Sequence, residues 1–320
     1  MIKELFLAVV VCFIFVGCTA EPESLLSESE TETGMTSPEQ IPSIIVAERG
    51  GFIPEGVEYD VTNDRILTGS LTEGSIFHLH NNGKLTAVVT DSELVSSVGI
   101  EVDEERDRLL VANSDLSAFQ GNVPGQAKLG VYQLATGERI AMVDLAEAVS
   151  DAEAVYFAND VTVGDDGTAY VTDTRMNLIY QISSDYQASV LHRFDDPEGA
   201  GPNGIVYHSN GYLLVARGSA LWKVPLDEPS GSMEVTLSEE VEGQDGMVWT
   251  VEGSLAIVSN SENRVVALRS DDEWMTASLV GIATYEIQGT TAAVVGNDVY
   301  VVHPQLADEV PPSVERVVFN

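Results

Sequence analysis

Cysteine is almost absent from this chain: the two present, Cys12 and Cys18, both lie in its first 18 residues. Everything downstream therefore lacks a disulfide, a cysteine nucleophile and a thiolate metal site, and must be held together by packing alone. Cations are scarce as well, with 15 Lys and Arg against 51 Asp and Glu and a formal net charge of −36. Such a surface repels nucleic-acid phosphates and anionic headgroups, which excludes nucleic acid as a partner. As a solubility coat the charge needs no specific partner. No long helical period occurs, and no G-x-S-x-G elbow, so neither a helical domain nor a serine triad is expected. What is plentiful is apolar residue, 44% of 320, enough for the core of one large all-β domain.

The first 42 residues read as processing and spacing rather than as fold. Lys3 precedes an apolar run, Leu5–Val16, too short to span a bilayer as a helix. It ends in Phe15-Val16-Gly17-Cys18, which resembles a bacterial lipobox. The expectation is a lipoprotein signal peptide over 1–17 and lipidation at Cys18, placing the protein outside the cytoplasm on a membrane anchor; an ordinary secretory cut near Ala20 is the alternative. Residues 18–42 carry several Glu and Ser but no Lys or Arg. They read as a disordered acidic stalk ahead of a domain spanning 43–320.

Self-comparison of that domain finds a unit repeated six times, each a small turn, an alternating strand, a polar turn and a second strand. The copies open at Glu55-Gly56, Val98-Gly99, Asn159-Asp160, Asn203-Gly204, Asp245-Gly246 and Thr290-Thr291. Four of the five gaps are about 43 residues and one is longer, which suits four-stranded propeller blades. The last copy supplies only three strands, and a spare strand, Ser43–Glu48, precedes the first copy. The predicted fold is therefore an all-β, six-bladed β-propeller whose ring is closed by that N-terminal strand joining the last blade.

In such a ring the opening residue of each copy converges on the central axis. Reading Glu55, Val98, Asn159, Asn203, Asp245 and Thr290 together gives two carboxylates and two amides, with no His or Cys. A hard, all-oxygen set of Glu55, Asn159, Asn203 and Asp245 suits one divalent cation, Ca²⁺ first and Mg²⁺ or Mn²⁺ next. Each Asn-Gly or Asp-Gly pair, taken singly, would serve equally as a turn.

Pro54-Glu55-Gly56-Val57, Phe157-Ala158-Asn159-Asp160-Val161, Gly201-Pro202-Asn203-Gly204 and Gln244-Asp245-Gly246-Met247 resemble the metal-ligand motifs of the regucalcin/gluconolactonase family. The resemblance covers about 43–320 and implies hydrolysis of a lactone or related ester, with the metal polarising the carbonyl and Asp245 as general base toward water. Sugar lactonases of that family carry an arginine two residues before the third-copy asparagine. Here the position is Phe157, which points to a less polar substrate.

Second strands run back toward the same mouth, so their ends are expected at the pocket rim: Ser70, Asn113, Asp173, Arg217, Asn260 and His303, with Phe157 beside them. The long loop Ser114–Lys128 should project over the mouth. Two other functions stay open: a non-catalytic ligand- or protein-binding propeller with a structural metal, and a carbon–carbon bond-forming enzyme like strictosidine synthase. The second needs no axial metal set. Substrate identity and oligomeric state are not readable from these residues.

Overall fold

A computed structural model describes residues 41–121, 123–149, 154–196, 200–306 and 310–320. The expected signal peptide, Cys18 and all but the end of the stalk lie outside the described residues. From residue 41 onward the chain forms six sheets, antiparallel but for one short parallel strand added to each of two, the blades of a six-bladed β-propeller. The first blade runs from its inner strand Val57–Asp60 through Arg65–Thr68 and Ile76–Leu79 to the outer strand Leu85–Val89. The next four repeat the plan, and their inner strands are Ser96–Asp103, Tyr156–Val163, Ile205–His208 and Gln244–Trp249.

The sixth blade closes the ring as expected. Its own strands are Ala292–Val295, Asp298–His303 and Ser313–Val317, and the N-terminal strand Ile44–Val46 adds as the outermost, antiparallel to the last. Ile45, at 1% exposure, enters the core cluster that joins the sixth blade to the first. Comparable clusters join every other neighbouring pair, such as Leu67 and Ile76 against Ile100 and Leu109 between the first two blades. Stability is thus distributed around the circuit, each blade burying both faces against its neighbours.

What positions the site is an irregularity shared by the inner strands. In the second, third and fifth blades the ladder to the neighbouring strand shifts register between Ser97 and Ile100, Ala158 and Val161, and Gln244 and Met247. In the first, fourth and sixth, the inner strand begins only two residues after the opening residue of the copy. Either way that residue falls where the ladder is interrupted, and a break of this kind re-aims a side chain. The glycine that follows is not a turn glycine. A Cβ on Gly204 would lie 2.2 Å from Asp245 O, and one on Gly56 would lie 2.5 Å from Val98 O, while neither has a positive φ. These glycines are required because adjacent inner strands approach so closely at the axis. Neither Gly204 nor Gly246 sits in a turn.

Helix is confined to one short α-helix, Leu116–Gln120, and three single turns among the described residues. The α-helix stands in the long loop of the second blade. The same loop then contributes Gly125–Gln126, which pairs in parallel with Tyr156–Phe157 at the start of the third inner strand.

Candidate functional site

A cavity of about 260 Å³ opens at the mouth where the copies begin. Its polar lining is Glu55, Asn159, Asn203, Asp245, Asn260 and Thr290. The four oxygen donors expected on the axis are therefore brought to one place, in an interior where Asn159 and Asp245 are 5% and 3% exposed. Neighbouring strands set them. Asn159 Nδ2 donates to Thr174 Oγ1 at 2.8 Å, leaving its carbonyl oxygen as the available donor. Thr174 Oγ1 in turn donates to Pro202 O, and Thr172 Oγ1 to Asn203 O at 2.6 Å. Asn260 Nδ2 donates to Asp245 Oδ2 at 2.6 Å, while Asp245 Oδ1 is buried with no hydrogen-bond partner.

The electrostatics of this floor are unbalanced. Burial raises the Glu55 carboxyl well above its usual range, and the nearby charges of Asp245 and Asp160 raise it further. Burial likewise pushes Asp245 up to about 7, with the Asp160 charge adding to the rise and the side-chain amides of Asn260 and Asn203 opposing it. Among the described residues no Lys, Arg or His lines the cavity to offset these carboxylates. No cluster of three or more His, Cys, Asp or Glu able to hold a metal occurs among the described residues. A cation here would rely on the amide oxygens as well as on Glu55 and Asp245. An orphaned carboxylate oxygen with a second carboxylate and two amides is chemistry that fits a hard divalent ion.

Above this floor the wall is apolar: Ile53, Leu71, Val98, Leu116, Phe119 and Phe157, with Leu306 contributed by the sixth blade. Phe157 lines the cavity as expected and is 4% exposed. Of the other residues expected at the rim, only Asn260 lies in the lining. Asn113 is turned into the protein, its Oδ1 accepting from Val95 N and Gln126 Nε2 and its Nδ2 donating to Glu93 O. Asp173 accepts from the backbone N–H groups of Phe157, Arg175 and Met176, and burial raises it to about 6. Ser70 Oγ donates to Phe52 O. Arg217 lies over the Phe194 ring, donating to Asn177 Oδ1 and Asp196 O. His303 is fully buried, with Nδ1 3.3 Å from Gln288 O and Nε2 3.4 Å from Glu315 Oε2. Buried backbone groups at the strand ends need partners, and these side chains supply them instead of facing the mouth.

Farther along the channel lies a second cavity, also about 260 Å³, with Glu58, Glu101 and Asp160 in its lining. Burial raises Glu58 to about 8 and Asp160 to about 7, and raises Glu101 well above its usual range. Sequence reading missed these acids. Their signal was the strand alternation, since Glu58 and Glu101 both stand three residues after the opening residue of their copies.

No family profile matches the sequence, and no curated protein does. Solved structures share the fold. The major allergen Mala s 1 of Malassezia sympodialis matches with a TM-score of 0.73 at 17% identity, over 87% of this chain and 97% of that one. A luciferin-regenerating enzyme gives 0.62 at 14%, over 86% and 94% of the two chains. A proposed gluconolactonase gives 0.57 at 15%, over 87% and 96%. At such identities the likeness is one of fold.

Proposed function

We propose that the chain is a divalent-cation-dependent hydrolase that opens a lactone or a related ester, with Asp245 as general base. The observation that carries this reading is the buried, partnerless Oδ1 of Asp245 beside Glu55, in a cavity lined by no cationic side chain among the described residues. Glu55, Asn159, Asn203 and Asp245 would hold the ion, with Ca²⁺ the best match to their oxygens and to the water needed to complete its shell. A bound ion would supply Lewis acidity toward a carbonyl oxygen and the positive charge that the site lacks. The proton work belongs to Asp245. Its carboxylate takes a proton from water as the water oxygen bonds to the carbonyl carbon. The ring C–O bond then breaks, and the proton passes to the departing alkoxide to leave a hydroxy acid. Burial raises Asp245 in the ion-free site, and a bound ion would favour its ionised form, the form that accepts a proton from water. Asn260 occupies Oδ2 and leaves Oδ1 as the oxygen free to act.

The test pairs elemental analysis and calcium-dependent thermal shift with a panel of lactones and aryl esters. About one divalent ion per chain and metal-dependent turnover are expected. At saturating metal, Asp245→Asn should lower turnover by roughly 10²–10⁴, the usual worth of a general base. The substitution also removes one charge from the ion's shell, so metal affinity is measured separately. A fully metallated chain that opens nothing above the buffer rate, or an Asp245→Asn variant with full activity, would overturn the proposal.

A further inference from the structure

The apolar wall is a built surface. Leu71, Val98 and Phe157 form a buried cluster of their own, with Ile53 and Leu116 packed against it. Phe119 stands above them, 51% exposed, its ring centroid 5.1 Å from that of Phe157 and tilted by 47°. A half-exposed phenyl ring that continues an apolar wall at a cavity mouth offers apolar surface to a ligand. Its position is held from several sides. Asp115 caps the helix by accepting from Ser117 N at 2.9 Å, and Leu116 N donates to Ser96 Oγ at 3.1 Å. The loop then returns to Phe157 itself through Gly125, whose φ is +64° and whose missing Cβ leaves room for Ala118 and Tyr156 O. The pairing of Gly125–Gln126 with Tyr156–Phe157 joins this loop to the strand that carries Phe157.

We infer that Phe119 and Phe157 form an aromatic clamp for the apolar body of the substrate, whose ester head rests on the polar floor. This inference rests on the hydrolase reading for the head and on the wall alone for the body. The cavity, about 260 Å³, is slightly smaller than most ligand sites, which run from about 300 to 1,000 Å³. The body is therefore a single ring or a short alkyl chain, and the substrate class is small lactones bearing such a group rather than polyhydroxylated ones. The floor and wall divide the molecule between them: oxygen donors for the head, and carbon on the opposite side.

A homologous series of γ-lactones, from γ-valerolactone to γ-nonalactone, tests this on the full chain in calcium. Each added methylene is expected to raise kcat/KM about fourfold until the cavity is full, the equivalent of about 0.8 kcal/mol per buried CH₂. Phe119→Ala should flatten the slope to under about twofold per methylene, mostly through KM, and Phe119→Trp should restore it. Unchanged far-ultraviolet circular dichroism and melting temperature would show that the exposed ring was not needed for folding. If no member of the series is hydrolysed, the hydrolase reading fails, and the same intact lactones become ligands for calorimetry. An affinity that rises with chain length and flattens in Phe119→Ala would then still support the clamp. A series with no chain-length dependence in either rate or affinity, or a slope untouched by Phe119→Ala, would overturn it.

Discussion

Asp245 shows how one residue acquires its chemistry from its neighbours. As an exposed side chain it would be an ordinary acid, ionised at neutral pH. Burial raises its pKa to about 7, Asn260 ties down Oδ2, and Oδ1 is left without a donor. Phe157 illustrates the complementary case, in which the missing charge decides the character of the wall. Phe157→Arg would set a guanidinium in an almost fully buried position beside Leu71 and Val98. Two outcomes are expected from its charge: attraction to the Glu55 and Asp245 carboxylates in competition with a metal ion, and weaker use of alkyl lactones. Calcium titration followed by melting temperature would show the first as a right-shifted midpoint. An unshifted midpoint would mean that the new side chain turns away from the floor.

At the scale of elements, the inner strands carry both the ring and the site, and the crowding between them can be tested. Gly204→Ala would bring a Cβ to 2.2 Å from Asp245 O, a backbone atom that cannot swing aside. Overpacking of this sort commonly costs about 1–3 kcal/mol, and here it should also displace Asp245 and weaken metal binding. Urea midpoints and calcium affinity together check it; a stable variant with normal affinity would show that the strands can part. The repeat made these elements legible in the sequence, because six occurrences of one pattern fix strand order and set the opening residues at equivalent places. Glu55, Asn159, Asn203 and Asp245 were readable for that reason. Of the apolar wall, Phe157 and the approach of the 114–128 loop were readable, but Leu116 and Phe119 were not singled out, since that loop occurs once and has no counterpart in other copies. Asn113, Asp173 and His303 were misplaced at the rim because strand position says where a side chain begins, not which buried backbone group it will satisfy. Ring closure was readable from the shortage of one strand at the end and the surplus of one at the start. A chain beginning at residue 49 lacks Ile44–Val46 and its buried Ile45. Compared with one beginning at residue 41, it should lose at least the roughly 2–5 kcal/mol associated with emptying one large core site, measured by urea unfolding. Equal stability would mean that the Ser313–Val317 edge needs no cover.

For the whole molecule, the acids of the central channel predict an inverted dependence of stability on pH. Glu58 has a folded pKa of about 8, Asp160 of about 7, and Glu101 is also raised, all chiefly by burial. Ordinary values for these groups lie near 4 in an unfolded chain. The folded state therefore keeps protons that the unfolded state releases, and stability must fall as pH rises through this interval. His78, His192, His208 and His303 are all lowered by burial and pull the other way, but only up to the ordinary histidine range near 6.5. The window from pH 7.0 to 8.5 isolates the acids. Urea midpoints in a chelator should decline across it, although most proteins change little there. The surface charge of −36 would contribute repulsion of its own, so the comparison is repeated in about 0.5 M KCl, which screens exposed charges but not buried ones. A decline that survives salt belongs to the channel. Calcium should then raise the midpoint more at pH 8.5 than at pH 5, because its carboxylate ligands must be ionised to hold it. At a hundredfold excess over Kd the gain would be about 2.7 kcal/mol. A midpoint that climbs from pH 7.0 to 8.5 in chelator would mean that the channel acids are solvated and ordinary. One that calcium leaves unmoved at both pH values would remove the metal from the site.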